Sequence, residues 1–387
     1  GHPTDKVELL ILGGTWSAYR KDYKQWVVRS CLYALNGEDA PHMAQAQEIN
    51  ETASHRNVGL AIETRPDEIN PEELAWLRLL GVTKVQMGAQ SMNDYILALN
   101  QRGHTVEDTR RAVALLRAAG FKVVLHWMPN LLGAAPETDQ QDFSRLWQDV
   151  CPDEIKIYPN QLLENTDLYQ IWLRGQYQPY TTAQLVELIA NVKVTIPRYC
   201  RVNRVIRDIP STYVVEGNKR TSLRQDVHKE LERRGERCQC VRCREVAGRR
   251  VSQASLLLHD LVYQAGGAEE HFLSFDTPDD RLAGFLRLSL PGAGSPQTGM
   301  PELQDAAIIR EVHVYGQSLP VGVEEQGAAQ HIGLGTQLIQ EAERLALENG
   351  FSRLAVISAI GTRRYYLRQG FERGEHYLVK PLALDQG

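Results

Sequence analysis

From Val7 to about Asn191 the chain repeats one pattern five times: a short apolar run, then a longer amphipathic one. "VELLILGGTW" leads to "DYKQWVVRSCLYALNG", "NVGLAIETR" to "NPEELAWLRLLG", "VTKVQMGAQS" to "TVEDTRRAVALLRAAG", "FKVVLHWMP" to "QQDFSRLWQDV", and "DEIKIYP" to "TDLYQIWLRG". Parallel strands need a crossover of a dozen or more residues, usually a helix, so this rhythm predicts βα units on a parallel sheet. Five units fit a partial or full α/β barrel better than a short open sheet. In such barrels the chemistry sits on the loops after the strands, where "GGT", "ETRPD", "GAQS" and "MPNLLG" fall. From about Ser252 the texture changes. "EEHFLSFD", "LAGFLRLSLP" and "AAIIREVHVYG" alternate like antiparallel strands; "QHIGLGTQLIQEAERLALENG" reads as a glycine turn opening a long helix, followed by the strand "RLAVISAI". The expected order is a barrel over 1–190, a linking segment over 191–250, and an α+β domain over 251–387.

Charge singles out the middle segment. The 387 residues carry a net charge of -5, yet between Asn191 and Arg250 there are 16 Lys and Arg against 7 Asp and Glu. In "RYCRVNRVIRDIP" the arginines 198, 201, 204 and 207 alternate with apolar residues. With Lys219 and Arg220 they form a candidate phosphate-contacting surface, so a nucleic acid is the expected partner. No window approaches the roughly 18 apolar residues of a membrane span, and Gly1–Lys6 lacks a signal-peptide pattern. A cytoplasmic location without membrane contact is expected, with Cys31, Cys151 and Cys200 as isolated reduced thiols.

Two short motifs carry chemistry. "RCQCVRCRE" packs Cys238, Cys240 and Cys243 into six residues, which fits zinc, an iron–sulfur cluster, or no metal at all. In Gln330-His331-Ile332-Gly333-Leu334-Gly335, the glycines let a backbone approach a ligand, and free N–H groups at a helix start suit a pyrophosphate. Q-x-x-G-x-G between a strand and a helix is the acetyl-CoA signature of the GNAT acetyltransferase fold; the plain alternative is an ordinary strand-to-helix turn.

Taken in order, "DKVELLILGGTW", "AIETRPDEI", "MGAQSMND", "QRGHTVEDT", "HWMPNLLG", "KIYPNQL", "RVNRVIRDIP", "RCQCVRCREV", "EVHVYG", "QHIGLG" and "GTRRYYLRQGF" resemble the catalytic subunit of the Elongator complex and its single-protein bacterial and archaeal relatives. The resemblance implies a radical S-adenosylmethionine (SAM) barrel, a basic segment with a zinc site, and a GNAT-like domain. The implied reaction forms 5-carboxymethyluridine at the wobble position of tRNA, with acetyl-CoA and SAM as cofactors, a 4Fe-4S cluster in the full-length protein, and the anticodon stem-loop as partner. A homodimer or a larger complex is compatible with it.

The resemblance also assigns residues. Gly13, Gly14 and Thr15 correspond to the segment that meets the SAM amino group, and Glu63, Gln90 and Ser91 to partners of its ribose and carboxylate, although each also suits a strand-end cap. Lys156 of "KIYP" is the lysine expected in the barrel mouth. Glu311, His313 and Val314, with Gln330, His331, Gly333 and Gly335, fall to acetyl-CoA. Tyr365 and Tyr366 lie where a GNAT fold places a tyrosine near the thioester sulfur, the plain alternative being a buried aromatic pair. Radical SAM clusters use three cysteines in a loop after the first strand, most often C-x-x-x-C-x-x-C. Cys238, Cys240 and Cys243 have neither that spacing nor that place, so zinc is expected, with His228, or else Asp226 or a more distant residue, as fourth ligand. No other cysteine triplet occurs, and the chain is expected not to generate the radical by itself. "AGFLRLSLP" carries no carboxylate to deprotonate an amine, which leans against the alternative of a protein lysine acetyltransferase; a non-catalytic tRNA- and acetyl-CoA-binding fragment is the other alternative.

Overall fold

The computed structural model describes residues 4–207, 209–247, 251–315 and 329–383, with the backbone alone at 253 and 329–332. Six strands form the first sheet: β1 (Lys6–Ile11), β2 (Arg56–Thr64), β3 (Lys84–Gln90), β4 (Lys122–Trp127), β5 (Glu154–Ile157) and β6 (Arg201–Arg204). Each is hydrogen-bonded to the next in chain order. The β1–β2, β4–β5 and β5–β6 pairings are parallel, as the helical crossovers require. Strands β4 and β5 are buried almost throughout and show no polar alternation, as is usual in a parallel sheet.

Local chemistry sets where the crossovers begin. Asn70 accepts from the Glu73 N–H at 3.0 Å and Pro71 opens helix Pro71–Leu79. Thr181 and Gln184 exchange side chain and backbone, at 3.2 and 2.9 Å, as the capping box of helix Thr182–Lys193.

Strand β6 corrects the sequence reading, which ended the sheet at "DEIKIYP" and set the basic segment outside it. "RVNR" pairs with β5, Arg201 opposite Glu154 and Arg204 opposite Lys156. As the last strand of the sheet it has one strand neighbour, so charged side chains are tolerated there and the apolar signature is lost.

The second sheet has seven strands: β7 (Leu257–Ala265), β8 (Ala268–Asp276), β9 (Leu282–Pro291), β10 (Ala306–Val314), β11 (Arg353–Val356), β12 (Glu372–Arg373) and β13 (Leu378–Pro381), in the order β12-β13-β11-β10-β9-β8-β7. The meander from β7 to β10 is antiparallel, and β10–β11 is parallel. Helix Ala329–Glu348 packs Leu338, Ile339 and Ala342 on Leu286, Ile309 and Val356 of the sheet.

Two compact units emerge: Gly1–Gln86 with Ala112–Val123 and Glu245–Gly387, and Met87–Arg111 with Val124–Arg244. Within the first, buried ions bind sequence-distant segments. Glu270 lies between Arg117 and Arg310, at 3.1 and 2.9 Å, and Glu311 between Lys122 and Arg287. No described helix is long and apolar enough to cross a membrane.

Candidate cofactor and metal sites

In the first unit, the turn after β1 holds Gly13 and Gly14 at φ +105° and +149°. A Cβ at either would meet nothing within 4 Å, so backbone conformation rather than crowding calls for glycine. The Gly13 N–H donates to Glu63 Oε2 at 3.3 Å, which brings two of the expected SAM-contacting residues together.

In the second unit, β3 ends on Gln90, buried at φ +65°, a left-handed conformation that a non-glycine residue adopts at a cost. Its Oε1 is buried and finds no hydrogen-bond partner among the described residues. Ser91 is otherwise engaged. Its hydroxyl donates to Asp142 Oδ1 at 2.9 Å and accepts from the Asn93 N–H at 3.2 Å, so it supports the loop. Asp142 also accepts from the Met92 N–H and from Trp127 Nε1.

Lys156 is buried on β5, directly opposite His126 on β4, with its ammonium 5.8 Å from the centre of the Tyr158 ring. His126 stands edge-on to that ring at 5.4 Å. Burial, reinforced by the charges of Lys156 and Arg207, pushes His126 down to about 3, so the imidazole is neutral near pH 7. On helix Pro136–Arg145, Asp139 accepts from the Asn130 N–H at 2.8 Å and from the Tyr180 hydroxyl at 2.9 Å. Burial still raises its carboxyl to about 7, with the neighbouring Asp142 adding to the rise. His126, Tyr158, Asp139 and Asp142 were missed in the sequence. "HWMP" shows a histidine on an apolar strand, and only the register with Lys156 gives it meaning.

Back in the first unit, β10 runs beside β11 over Ala306–Ile309, breaks register with β9 between Ile309 and Glu311, and continues from there with β9 alone. The resulting fork carries Glu311, His313 and Val314 on one arm. Glu311 is held by Arg287 at 2.9 Å and by Lys122; burial opposes its ionisation, but these cations keep it down at about 2. His313 is exposed and stacks near Phe285 and Tyr315.

The expected glycine turn is already helical, because helix Ala329–Glu348 begins before Gly333. The side chains of Gln330 and His331 lie outside the described residues. Gly335 faces a close approach: a Cβ there would lie 2.7 Å from the Tyr365 hydroxyl, at the far end of that side chain. Tyr365 thus reaches the first turns of the helix, while Tyr366 joins the core beside Phe371. Burial raises both phenols, which stay protonated near neutral pH.

The sulfurs of Cys238, Cys240 and Cys243 all lie within 4.8 Å of one another, the single such group of potential metal ligands among the described residues. His228 is not a member, although its half-buried ring feels the charge of Cys240. Of the candidate phosphate contacts, Arg204, Arg207, Lys219 and Arg220 are exposed, whereas Arg198 and Arg201 are half-buried. All six cysteines are free thiols.

Comparison with known proteins fits this arrangement. The Radical SAM superfamily matches residues 2–141, and the Radical_SAM C-terminal domain matches residues 152–233. The chain is 43% identical to the tRNA uridine(34) acetyltransferase of Dehalococcoides mccartyi over 99% of its own length and 84% of that protein. It is 36% identical to Elongator complex protein 3 of Homo sapiens over 99% of its length and 71% of that protein. The structure of Methanocaldococcus infernus Elp3 with residues 1–46 deleted superposes with a TM-score of 0.92 at 40% identity, covering 98% of this chain and 91% of that one. These relatives extend beyond the residues compared, so the expectation of an inactive radical step, drawn from the lack of a second cysteine triplet, has no support. The chain belongs to the radical SAM family of tRNA uridine(34) acetyltransferases and Elongator complex protein 3.

Proposed function

We propose that this protein modifies the wobble uridine of tRNA, using a two-carbon unit from acetyl-CoA to leave 5-carboxymethyluridine. The observation that carries the reading is the presence in one chain of two ligand-ready features. One is a set of parallel strand ends with buried polar groups, at Gln90, His126 and Lys156. The other is the β10–β11 fork beside a glycine-bearing helix. The similarity to proteins named tRNA uridine(34) acetyltransferase supplies the substrate.

SAM, when bound beside a reduced 4Fe-4S cluster, supplies a carbon radical able to take hydrogen from an acetyl methyl. Within the first unit, the residues present suit the SAM amino group: Gly13 and Gly14 leave open backbone, and the Gly13 N–H donates to Glu63. Neutral His126 and cationic Lys156 orient polar substrate groups, and the neutral imidazole is not an acid at pH 7. Tyr365, protonated beside Gly335, would donate to a departing thiolate of acetyl-CoA. Cys238, Cys240 and Cys243 would hold a zinc ion, which would tie the basic segment together as a structural centre. Exposed Arg204, Arg207, Lys219 and Arg220 supply the tRNA contacts.

The test is an anaerobic incubation of the reconstituted protein with SAM, reductant, tRNA and acetyl-CoA carrying 13C in the acetyl group. Labelled carboxymethyluridine in the nucleoside digest is expected. Label in protein lysines with none in tRNA would replace this reading with the lysine acetyltransferase. Arg204→Glu with Arg207→Glu should weaken tRNA binding by roughly tenfold or more and flatten its salt dependence.

A further inference from the structure

One face of the second sheet carries a row of rings that ends at the β10–β11 fork. Phe272 on β8 lies opposite Arg287 on β9, and Phe285, two residues from Arg287, lies opposite His313 on β10, so all four side chains share a face. Val312 and Val314, which alternate with them along β10, pack instead on the core beneath helix Ala329–Glu348. The rings stack in order: the centres of Phe272 and Phe285 are 5.0 Å apart with planes at 29°, and those of Phe285 and His313 are 5.7 Å apart at 22°. The two phenylalanines are buried, and the Arg287 guanidinium lies 5.1 and 5.3 Å from their centres while donating to Glu311 Oε2 at 2.9 Å. The row is fixed at its buried end. Its last ring, His313, is exposed.

That ring is aimed as well as exposed. β9 lies on the Phe285 side of β10, whereas on the other side the pairing with β11 stops at Ile309. Tyr315 is 4.4 Å from the imidazole centre and 6.3 Å from Phe285, which sets it beside the stack, nearly at right angles to the Phe285 direction, and away from the imidazole face opposite Phe285. That face looks across the fork. The backbone of the same arm does too: the Tyr315 N–H donates to Ala283 O at 2.8 Å, so by antiparallel alternation His313 also bonds β9, and Val312 and Val314 turn their N–H and C=O groups toward the fork. Backbone polar groups suit the amide-bearing arm of coenzyme A. A flat ring face suits another flat ring.

We propose that His313 is the stacking plate for the uracil ring to be modified, which extends the Phe272–Phe285–His313 row by one ring at the fork. The inference rests on the reading of the protein as a wobble-uridine modifying enzyme and deepens it, since a two-carbon unit held in the fork can be joined only to a base lying beside it. Unpaired bases in RNA are held largely by stacking on aromatic side chains, histidine included. The competing occupant is the adenine of the coenzyme.

The experiment uses the full chain saturated with a non-hydrolysable ketone analogue of acetyl-CoA. Fluorescence anisotropy at fixed salt compares two anticodon hairpins, one with uridine at the wobble position and one abasic there. The wild type should prefer the uridine hairpin by about tenfold. His313→Phe should keep the preference, whereas the ringless His313→Ala and His313→Leu should bind both hairpins as the wild type binds the abasic one. Calorimetry should find the same affinity for the analogue in all four proteins, which also reports that the variants are folded. A ringless variant that still prefers uridine, or a wild type with no preference, overturns the stacking role; if labelled carboxymethyluridine still forms, the proposed function stands without it. Loss of analogue binding with the uridine preference intact gives the ring to the coenzyme and overturns the proposal. A preference that follows the ring in a reconstituted protein that makes no carboxymethyluridine upholds the base contact and sinks the proposed function.

Discussion

The second sheet and the strand ends of the first treat buried carboxylates differently. Glu270 lies between two guanidinium groups and Glu311 between a guanidinium and an ammonium, and all six side chains are mostly or wholly out of water. On helix Pro136–Arg145 after β4, Asp142 and Asp139 are satisfied by neutral donors: a serine, an indole, a tyrosine and two backbone N–H groups. Opposite charge fixes ionisation, as at Glu311, held at about 2. Neutral donors satisfy hydrogen bonding but leave the cost of burial in place, as at Asp139, raised to about 7. The first arrangement joins distant segments of chain. The second keeps groups close to a change of protonation, and such groups mark sites of chemistry.

The largest expected effect falls on the matched charges. Glu270→Gln removes the carboxylate that lies between Arg117 and Arg310, which should cost about 3–5 kcal/mol in chemical denaturation. Replacing all three by apolar residues of similar volume should recover most of that loss. If Glu270→Gln cost no more than an exposed change, the contrast between the two regions would fail.

The strand ends should answer to pH, with opposite signs at two residues. Asp139 keeps its proton to about pH 7 when folded, whereas an unfolded Asp loses it near 4. Its contribution to stability is therefore present below about pH 4 and lost as pH rises through 7. Asp139→Asn should gain on the wild type across that rise, by roughly 1–3 kcal/mol. His126, held at about 3 against about 6.5 unfolded, contributes above pH 6.5 and loses that contribution as pH falls toward 3. His126→Asn should gain on the wild type as the solution is acidified. Urea denaturation at pH 4, 5.5 and 7.5 measures both, and parallel curves for variant and wild type would mean that these groups are not perturbed.

The smallest effect on stability is expected at Gly335. A methyl there meets the far end of the Tyr365 side chain, which can swing aside, so Gly335→Ala should cost about 1 kcal/mol or less. Its effect on function should be larger. With the phenol displaced, thiol release from acetyl-CoA should fall several-fold, and by a similar factor in Tyr365→Phe. Wild-type rates in both would remove Tyr365 from the acetyl-CoA site.

Much of this was legible in one dimension because it depends on local order. The alternation of apolar and amphipathic runs specifies parallel units, since period and crossover length are properties of consecutive residues. The C-x-C-x-x-C spacing confines three sulfurs to one metal-sized volume, and Gly13 and Gly14 announce their backbone conformation by lacking a side chain.

What the tertiary structure alone decided depends on residues far apart in the chain. "RVNR" became a strand because β5 offered it a free edge. Ser91 was turned from a candidate ligand into a support by Asp142, 51 residues away. Gly335 is explained by Tyr365, and His126 by the lysine opposite it in register. Propensity and spacing are carried by neighbours, whereas burial and charge balance are set by whatever the fold brings together.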